Sequence, residues 1–415
     1  DTDLFLLKYR HWCEQRAAEL PEHQEIIKSE LCHRYFKVLK LAATYSFIEG
    51  EFTLKMESLH QAIKFAENSG EALVATLNRE KPYERLAKFI ADGRGKKFTQ
   101  VDLVEELPYY KGTAIQKNEL MSMAIAWGYT NNIIIKRYVL DGIDFFSGES
   151  LKETDLTKIK ISYSTHFSKG YINDSINWET GFNNLIKAPN YHWTNHFTTN
   201  GNRNEESMQE GFNCVVLDVD KDITIPVVRE LLKDYAYIIH TTKRHQLINT
   251  ETGECNDRFR IIIPTNYELY LGESEFTLFM KNVQQWCPFE LDTQTFQRSR
   301  KWACNDKAII FKNEGILLDV LPFIPKTHRE VEFNKFNQTL GSMDNIQRWF
   351  ALQMQNGNRN NLMLKYALML LDGGMYLSNI KENIISFNNK LPNPLHQSEI
   401  ESTVFITLTK RFDDK

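Results

Sequence analysis

Two aspartates stand two residues apart at the end of an apolar run rich in valine, Asn213 to Val219. Such a run predicts a β-strand, and residues two apart on a strand share a face. Asp218 and Asp220 would therefore lie side by side, where their charges repel unless a cation sits between them. Hard divalent ions such as Mg²⁺ take oxygen ligands. The pair predicts a metal cradle, although aspartate pairs also occur in loops after strands without binding metal.

A basic loop follows the next predicted strand, Tyr235 to Thr241. It carries Lys243, Arg244 and His245 in the run Thr-Thr-Lys-Arg-His. Lysine, arginine and histidine near carboxylates suit a triphosphate, because cationic donors make strong hydrogen bonds to phosphate oxygens. A solvated basic loop is the alternative interpretation.

Two arginines at period two, Arg258 and Arg260, open a third predicted strand that runs to Ile263 and is closed by Pro264. The apolar residues that follow indicate a central, buried strand. A buried arginine requires an anionic partner. That partner is either a carboxylate of the site or a phosphate, to which arginine offers a planar fork; a purely structural ion pair is the alternative.

A third carboxylate, Asp292, follows on a short extended piece, with Arg298 and Arg300 just beyond it. Supplied from a separate strand, Asp292 would complete a site for two metal ions. Such sites clamp the attacking and leaving oxygens of an in-line displacement. Phosphoryl transfer otherwise needs mainly positioning and positive charge.

Four regions are predicted to position these residues. Residues 1–78 show apolar side chains at helical spacing and predict a helical packing domain. Residues 79–155 predict three helices and a β-ribbon, the order of a winged helix-turn-helix. Residues 156–330 mix strands and helices as an α+β or α/β catalytic core does. Residues 331–415 predict a small helical bundle. The fold class is therefore α+β and multidomain.

The predicted winged segment is locally basic. Between Arg85 and Arg137 there are nine Lys and Arg against five Asp and Glu. This excess suits the phosphates of duplex DNA. Winged helices also serve as protein-docking or spacer modules, so both interpretations stay open.

Composition narrows the class of protein. The 415 residues are 42% hydrophobic and 25% charged, values typical of globular protein. A net charge of -4 counts against a nucleic-acid coating protein but permits an enzyme with a local basic groove. No uninterrupted apolar run of about 18 residues occurs, which predicts no membrane span.

The termini and cysteines add two expectations. The start Asp-Thr-Asp lacks a basic segment followed by an apolar run, which argues against a secretory signal. It also lacks a methionine, which is consistent with a fragment of a longer chain. The six cysteines form no Cys-x-x-Cys pair, so they predict buried thiols in a reducing cytoplasm and no zinc cluster.

The order of these motifs resembles the archaeo-eukaryotic primase superfamily, in particular the primase-polymerases of phages and plasmids. The likeness rests on Asp-x-Asp on a strand, Lys-x-His after the next strand, Arg-Phe-Arg-Ile-Ile-Ile-Pro, and a lone Asp. Lys243 departs from the small residue usual in the second motif. The resemblance covers about 156–330 and implies an RRM-like primase-polymerase core.

The resemblance also implies roles. Three carboxylates would be catalytic and would hold two Mg²⁺ or Mn²⁺ ions: Asp218, Asp220 and Asp292. Seven cationic residues would contact the nucleotide: His245, Lys243, Arg258, Arg260, Arg298, Arg300 and Arg203. An aromatic cluster upstream either stacks on a base or belongs to the core: Tyr191, His192, Trp193 and Phe197.

The flanking regions extend the likeness. The run Asn-Gly-Asn-Arg-Asn-Asn at 356–361 and Pro394-Leu395 are similar to the helical domain that follows such cores, which implies a helper domain for initiation over about 341–410. The first 150 residues loosely resemble the segments that end the helicase in fused helicase-primases. Implied partners are a single-stranded DNA template, NTPs or dNTPs and a replicative helicase, with no membrane, in the cytoplasm of a phage or plasmid host.

Two other functions are compatible with the same residues. One is a replication initiator whose core has lost activity and which acts through the winged domain and the tail. The other is a metal-dependent nuclease on the same carboxylates, which would leave Lys243, His245, Arg258 and Arg260 without a triphosphate to bind.

Overall fold

The computed structural model describes residues 2–93, 95–220, 223–248, 253, 255–355 and 357–413. Contacts divide the chain into two compact units, Asp1–Arg85 and Leu86–Lys415. The architecture is α+β, with several antiparallel sheets and a helical C-terminal region, as predicted. The finer division into four domains stays a prediction. No helix within the described ranges combines the length and apolar character needed to cross a bilayer.

The first unit is helical, as its apolar spacing predicts. Its long helices are α1 (Thr2–Glu19), α2 (Glu25–Ile48) and α3 (Met56–Leu77). Leu6 and Cys13 of α1 pack with Val38 of α2 and with Leu59 and Ala62 of α3 in one apolar cluster. The three helices therefore share one apolar core.

A buried arginine lies between two of these helices. Arg34 on α2 is 3% exposed, and its guanidinium lies 2.5 Å from Glu30 and 2.7 Å from Glu67. The hydroxyl of Tyr9 donates a 2.6 Å hydrogen bond to Glu67. A Cβ atom built on Gly70 would lie 2.0 Å from Nη2 of Arg34, so this position requires glycine.

The second unit begins with three helices and a small sheet, in the predicted order. The elements are α4 (Pro82–Asp92), β1 (Phe98–Thr99), α5 (Gln100–Glu106), α6 (Ala114–Thr130), β2 (Ile133–Leu140) and β3 (Ile143–Ser150). Capping boxes start two of the helices, Thr99 with Asp102 and Thr113 with Gln116. Strands β2 and β3 form a hairpin, and β1 pairs with β3.

At least two of the basic side chains counted in this segment pair with carboxylates of the protein. Lys136 is buried, with Nζ 3.2 Å from Glu275 and 3.5 Å from Glu149. Arg137 donates 2.8 and 2.7 Å hydrogen bonds to Asp144 across the hairpin. The segment therefore offers fewer free cations to DNA than the sequence count indicates.

Two antiparallel sheets form the centre of the second unit. The strands are β4 (Lys152–Glu153), β5 (Ile159–Ser164), β6 (Ile172–Ile176), β7 (His192–Thr194), β8 (Gly211–Val219), β9 (Tyr237–Thr241), β10 (Phe259–Tyr270), β11 (Trp302–Ala303) and β12 (Ile310–Asn313). One sheet has the order β12-β9-β10-β4, with β8 also on β10, and the other has the order β11-β7-β5-β6. The associated helices are α7 (Gly181–Lys187), α8 (Ile225–Leu231) and α9 (Glu273–Trp286).

The five-stranded sheet is covered on both faces. On β8, Val215, Leu217 and Val219 belong to a cluster with residues of α8 and α9. The alternate residues Cys214 and Val216 pack in a second cluster, with side chains of the four-stranded sheet and α7. A strand buried on both faces reads as a continuous apolar run, which is why β8 was recognisable from its valines.

The C-terminal region is helical, as predicted. It contains α10 (His328–Thr339), α11 (Asn345–Gln353), α12 (Arg359–Asp372), α13 (Leu377–Lys390), α14 (Gln397–Ile400), a π-helical turn (Glu401–Phe405) and α15 (Ile406–Asp413). Met363, Ile384 and Leu408 from these helices share the apolar cluster of β8 and α9. Asn356 of the predicted turn lies outside the described residues.

The prediction that Pro264 ends its strand is wrong, since β10 continues to Tyr270. Pairing with β9 runs only to Ile262, and pairing with β8 shifts register between Pro264 and Leu269. The proline therefore sits where β9 no longer pairs, and its missing N–H leaves no ladder hydrogen bond unmade. Its carbonyl accepts a 3.0 Å hydrogen bond from the N–H of Leu318.

We predict that Gly70→Ala destabilises the first unit, by on the order of 3 kcal/mol, because the methyl group would displace Arg34 from its two carboxylates. Denaturation of the full chain, followed by far-ultraviolet circular dichroism, measures this. Ser69→Ala, at the exposed neighbouring position of α3, is the control. Helix propensity alone predicts the opposite sign, a gain of about 1 kcal/mol, and that result would contradict the steric argument.

Candidate active site

Asp218 on β8 lies directly opposite Arg260 on β10, which in turn lies opposite His240 on β9. Residues directly opposite each other in antiparallel strands share a face. Arg260 Nε donates a 3.1 Å hydrogen bond to Asp218 Oδ1, and Nη1 donates a 3.0 Å bond to the carbonyl of Ala303. Of the two anionic partners expected for Arg260, the structure therefore contains the carboxylate.

The carboxyl group of Asp218 is largely buried, with only 8% of its side chain exposed. Burial raises its pKa, because desolvation disfavours the charged form. Arg260 and Arg300 oppose this rise in pKa, and the carboxylate of Asp220 adds to it. Asp220 follows β8 directly and is exposed.

Asp292 lies beside the end of β8, but not on a strand of its own as expected. It lies not on a strand but at the N-cap of a 3₁₀ turn, Thr293–Thr295, where its carboxylate accepts a 3.0 Å hydrogen bond from Gln294 N–H. Its own N–H donates a 3.2 Å bond to the carbonyl of Asp218. The backbone of the loop thus joins the end of β8 without forming a strand.

Arg300 stands between two of the carboxylates. Its Nη2 atom lies 4.0 Å from Asp218 Oδ2 and 3.9 Å from Asp292 Oδ2. These distances exceed a hydrogen bond, so the guanidinium balances charge without tight pairing. The structure therefore brings together Asp218, Asp292, Arg260 and Arg300, which the sequence places on three separate segments.

The donor set partly fits divalent metal ions. Carboxylate oxygens are the ligands that Mg²⁺ and Mn²⁺ prefer. Among the described residues, however, no group of three or more His, Cys, Asp or Glu side chains is arranged closely enough to hold a metal. Arg300 supplies the positive charge between Asp218 and Asp292 in this arrangement.

Trp302 underlies both arginines and was not singled out from the sequence. The guanidinium carbons of Arg260 and Arg300 lie 5.3 and 5.9 Å from the centre of its ring. The indole is buried against Trp193 of the neighbouring strand β7. Cation–π contact of this kind steadies a guanidinium whose head group must stay available. The only signal in the sequence was a tryptophan two residues after Arg300.

The basic loop after β9 is tied to the start of β10. Thr242 N–H donates a 3.0 Å hydrogen bond to the carbonyl of Arg258, whose own N–H donates a 3.2 Å bond to Nδ1 of His245. An accepting Nδ1 carries no proton, so the neutral ring carries its proton on Nε2. Asp257 lies 3.9 Å from the same Nδ1.

Burial and nearby positive charges both act on His192 of β7. Burial lowers the pKa of this histidine, and the charges of Lys301, Lys243 and Arg203 lower it further. Lys243 belongs to the loop after β9, whereas Lys301 adjoins the acidic centre.

Two predicted nucleotide contacts are engaged in structural bonds. Arg298 is buried, and its Nε donates a 3.1 Å hydrogen bond to the carboxylate of Glu205. Arg203 donates from Nε to the carbonyl of Phe167 at 2.8 Å and from Nη1 to the carbonyl of Ser299. The sequence could not reveal this, because Glu205 lies 93 positions from Arg298.

The aromatic cluster upstream divides between the two interpretations. Trp193 is fully buried in the cluster between the sheets. Tyr191 is partly buried and its ring lies 5.8 Å from that of Tyr163. The ring of Phe197 has Lys160 Nζ 5.2 Å from its centre. Trp193, at least, therefore belongs to the core.

We predict that Asp218→Asn stabilises the metal-free protein at about pH 8. The folded-state pKa of Asp218 is raised, so the wild type loses stability as pH rises above the ordinary carboxyl pKa. A neutral amide avoids that loss and still accepts from Arg260. Melting temperatures should differ at about pH 8, and the difference should shrink as the pH falls through the ordinary carboxyl pKa of about 3.9.

The exposed neighbour provides the control for this experiment. Asp220→Asn should raise the melting temperature at about pH 8 by less than Asp218→Asn does, because its own carboxylate is solvated and its removal only relieves repulsion on Asp218. A lower melting temperature for Asp218→Asn at the higher pH would mean that attraction to Arg260 outweighs the cost of burial.

One comparison with known proteins bears on this chain. Residues 348–405 match the family model of Primase C terminal 1 (PriCT-1). The match begins within α11 and ends with the π-helical turn. No curated protein and no solved structure matches the chain. The prediction of a primase-type C-terminal domain is thereby confirmed, and a role in DNA replication is supported.

Proposed function

We propose that this protein is a DNA primase or primase-polymerase, a template-directed nucleotidyltransferase of the archaeo-eukaryotic primase superfamily. The PriCT-1 match supports the primase part of the proposal. The observation that carries the catalytic part is the pairing of Asp218 with Arg260 beside Asp292 and Arg300. Acidic and basic groups interleaved where β8 ends beside the start of β10 suit phosphoryl transfer, which needs positioned charge.

Asp218, Asp220 and Asp292 are the residues that would hold two Mg²⁺ or Mn²⁺ ions. Such ions, when bound, activate the attacking oxygen and stabilise the leaving one. The raised pKa of Asp218 agrees with a carboxyl group placed to receive a cation. In the absence of a metal ion, the ion pair with Arg260 fixes the orientation of the Asp218 carboxylate.

The cations around the acidic centre would hold the triphosphate. Lys243 and His245, on the loop after β9, would contact the phosphates, with His245 donating from Nε2. Arg300 and Lys301 approach from the segment before β11. A 3′-hydroxyl would then lose its proton to solvent water while its oxygen bonds to the α-phosphorus and the bond from the α-phosphorus to the bridging oxygen of the β-phosphate breaks. Pyrophosphate leaves with negative charge that these cations stabilise.

The remaining parts of the proposal concern the setting. Residues 79–155 would act as a winged helix-turn-helix, 156–330 as an RRM-like core and the C-terminal helices as a helper domain for initiation. Partners would be a single-stranded DNA template, NTPs or dNTPs and a replicative helicase. The protein would replicate a phage or another mobile element in the host cytoplasm.

We predict that the double substitution Asp218→Ala and Asp220→Ala abolishes nucleotide incorporation while template binding largely survives, because the cations that contact DNA remain. Unprimed and primed synthesis on single-stranded DNA with Mg²⁺ or Mn²⁺, using ribo- and then deoxynucleotides, measures incorporation. Retained synthesis in the double variant would refute the assignment. Shortening of a labelled primer by the wild type would favour a nuclease, and inert wild-type protein would favour an inactive initiator.

We also predict that His245→Ala raises the nucleotide KM about tenfold, because a hydrogen bond to a charged group contributes about 1.5–3 kcal/mol. His245→Gln, which retains an N–H donor, should recover part of the loss. His328→Ala, at an exposed position on α10, is the matched control. An unchanged KM in His245→Ala would show that this ring does not contact the nucleotide.

A further inference from the structure

An aromatic side chain outside the sequence motifs lies exposed near the acidic centre. Phe167 belongs to the loop between β5 and β6, and 55% of the residue is accessible to solvent. A single exposed apolar residue is common and by itself carries no function. Three further observations distinguish this one: its rigid loop, its ring partners and its connection to the site.

The loop around Phe167 is held by its own hydrogen bonds. The hydroxyl of Ser164 donates to the carbonyl of Lys169 at 2.8 Å and accepts from the N–H of His166 at 2.9 Å. Nδ1 of His166 accepts from the N–H groups of Ser168 and Lys169, at 3.1 and 3.2 Å. The ring of Phe167 is therefore presented to solvent by an ordered backbone, which lowers the entropic cost of binding a partner.

Two side chains flank the ring of Phe167. His166 stacks on it, with ring centres 4.6 Å apart and planes inclined by 23°. Lys301 Nζ lies 5.3 Å from the centre of the same ring. A flat aromatic surface beside a flexible cation is the combination by which proteins hold single-stranded nucleic acid, the ring taking a base and the cation a phosphate.

One guanidinium connects this loop to the acidic centre. Arg203 donates to the carbonyl of Phe167 and also to that of Ser299. The next residue, Arg300, faces both Asp218 and Asp292. Phe167 and the carboxylates are therefore positioned through the same short segment, 299–301, rather than by independent elements.

We propose that Phe167, with His166 and Lys301, forms a stacking platform for a nucleobase at the edge of the active site. The proposal rests on the proposed function and deepens it by adding a base contact to the charged ones. The base belongs either to the template strand or to the incoming nucleotide. The flexible side chain of Lys301 would reach the phosphate next to that base.

The test uses the full chain with Phe167→Ala, Phe167→Leu and Phe167→Tyr. One arm measures the affinity for fluorescently labelled oligothymidylate by anisotropy, without nucleotide. The other measures the nucleotide KM at saturating template. Stacking on a base predicts a loss of about tenfold in one arm for the Ala and Leu variants. Phe167→Tyr should retain wild-type values because it keeps the ring.

The arms distinguish the source of the base. A change in oligothymidylate affinity alone assigns the platform to the template, and a change in KM alone assigns it to the incoming nucleotide. Phe65→Ala, on α3 and similarly exposed at 58%, is the matched control and should change neither. Melting curves would show whether Phe167→Leu, which keeps the apolar bulk, is folded.

Two results would overturn the platform: wild-type values in both arms for Phe167→Ala, or full recovery by leucine, which would indicate apolar packing only. Failure of the proposed function has a different signature. It would appear as absent synthesis by the wild type, and the binding arm would then decide the platform without catalysis. A wild type that binds no oligothymidylate and makes no product would overturn both.

Discussion

The ion pair between Asp218 and Arg260 is the contact on which the site depends. A carboxylate at the end of a fully covered strand needs a cationic partner, and Arg260 meets it only because β8 and β10 pair in one register. Side chains alternate between faces with a period of two, so a slip of one residue would turn Asp218 into the apolar cluster of α8 and α9. The pairing of Val215 and Leu217 with Ile263 and Ile261 prevents that slip.

Arginines in this region supply positive charge. They also join distant segments by donating hydrogen bonds to backbone carbonyls. Arg260 binds the carbonyl of Ala303, and Arg203 binds those of Phe167 and Ser299. These bonds hold the segment from 299 to 303 against both sheets. Arg300 is thereby held near two carboxylates without forming a tight ion pair with either. Charges fixed in place before a substrate arrives need little reorganisation when charge develops.

The helical C-terminal region shares an apolar core with the face of the sheet opposite Asp218. Met363, Ile384 and Leu408 share one apolar cluster with Val215 and other β8 residues, on the face opposite Asp218. The segment matched to PriCT-1 thus belongs to the same apolar core as β8. The site itself carries the less favourable terms, notably a buried carboxyl group with a raised pKa. Natural proteins commonly lose some stability at functional sites and recover it elsewhere.

The sequence by itself determined the elements whose signals are local. Valine-rich and isoleucine-rich runs identified β8 and β10, and the tail was recognisable as a primase-type domain. Tertiary structure decided what depends on residues far apart in the chain. It continued β10 through Pro264, placed Asp292 on a 3₁₀ cap, and engaged Arg298 with Glu205. It also set Trp302 beneath two arginines and Phe167 beside Lys301. The physical reason is that the periodicity of a strand or helix depends on residues close together in the sequence. The partner of a buried charge or of an exposed ring depends instead on how strands, loops and helices pack.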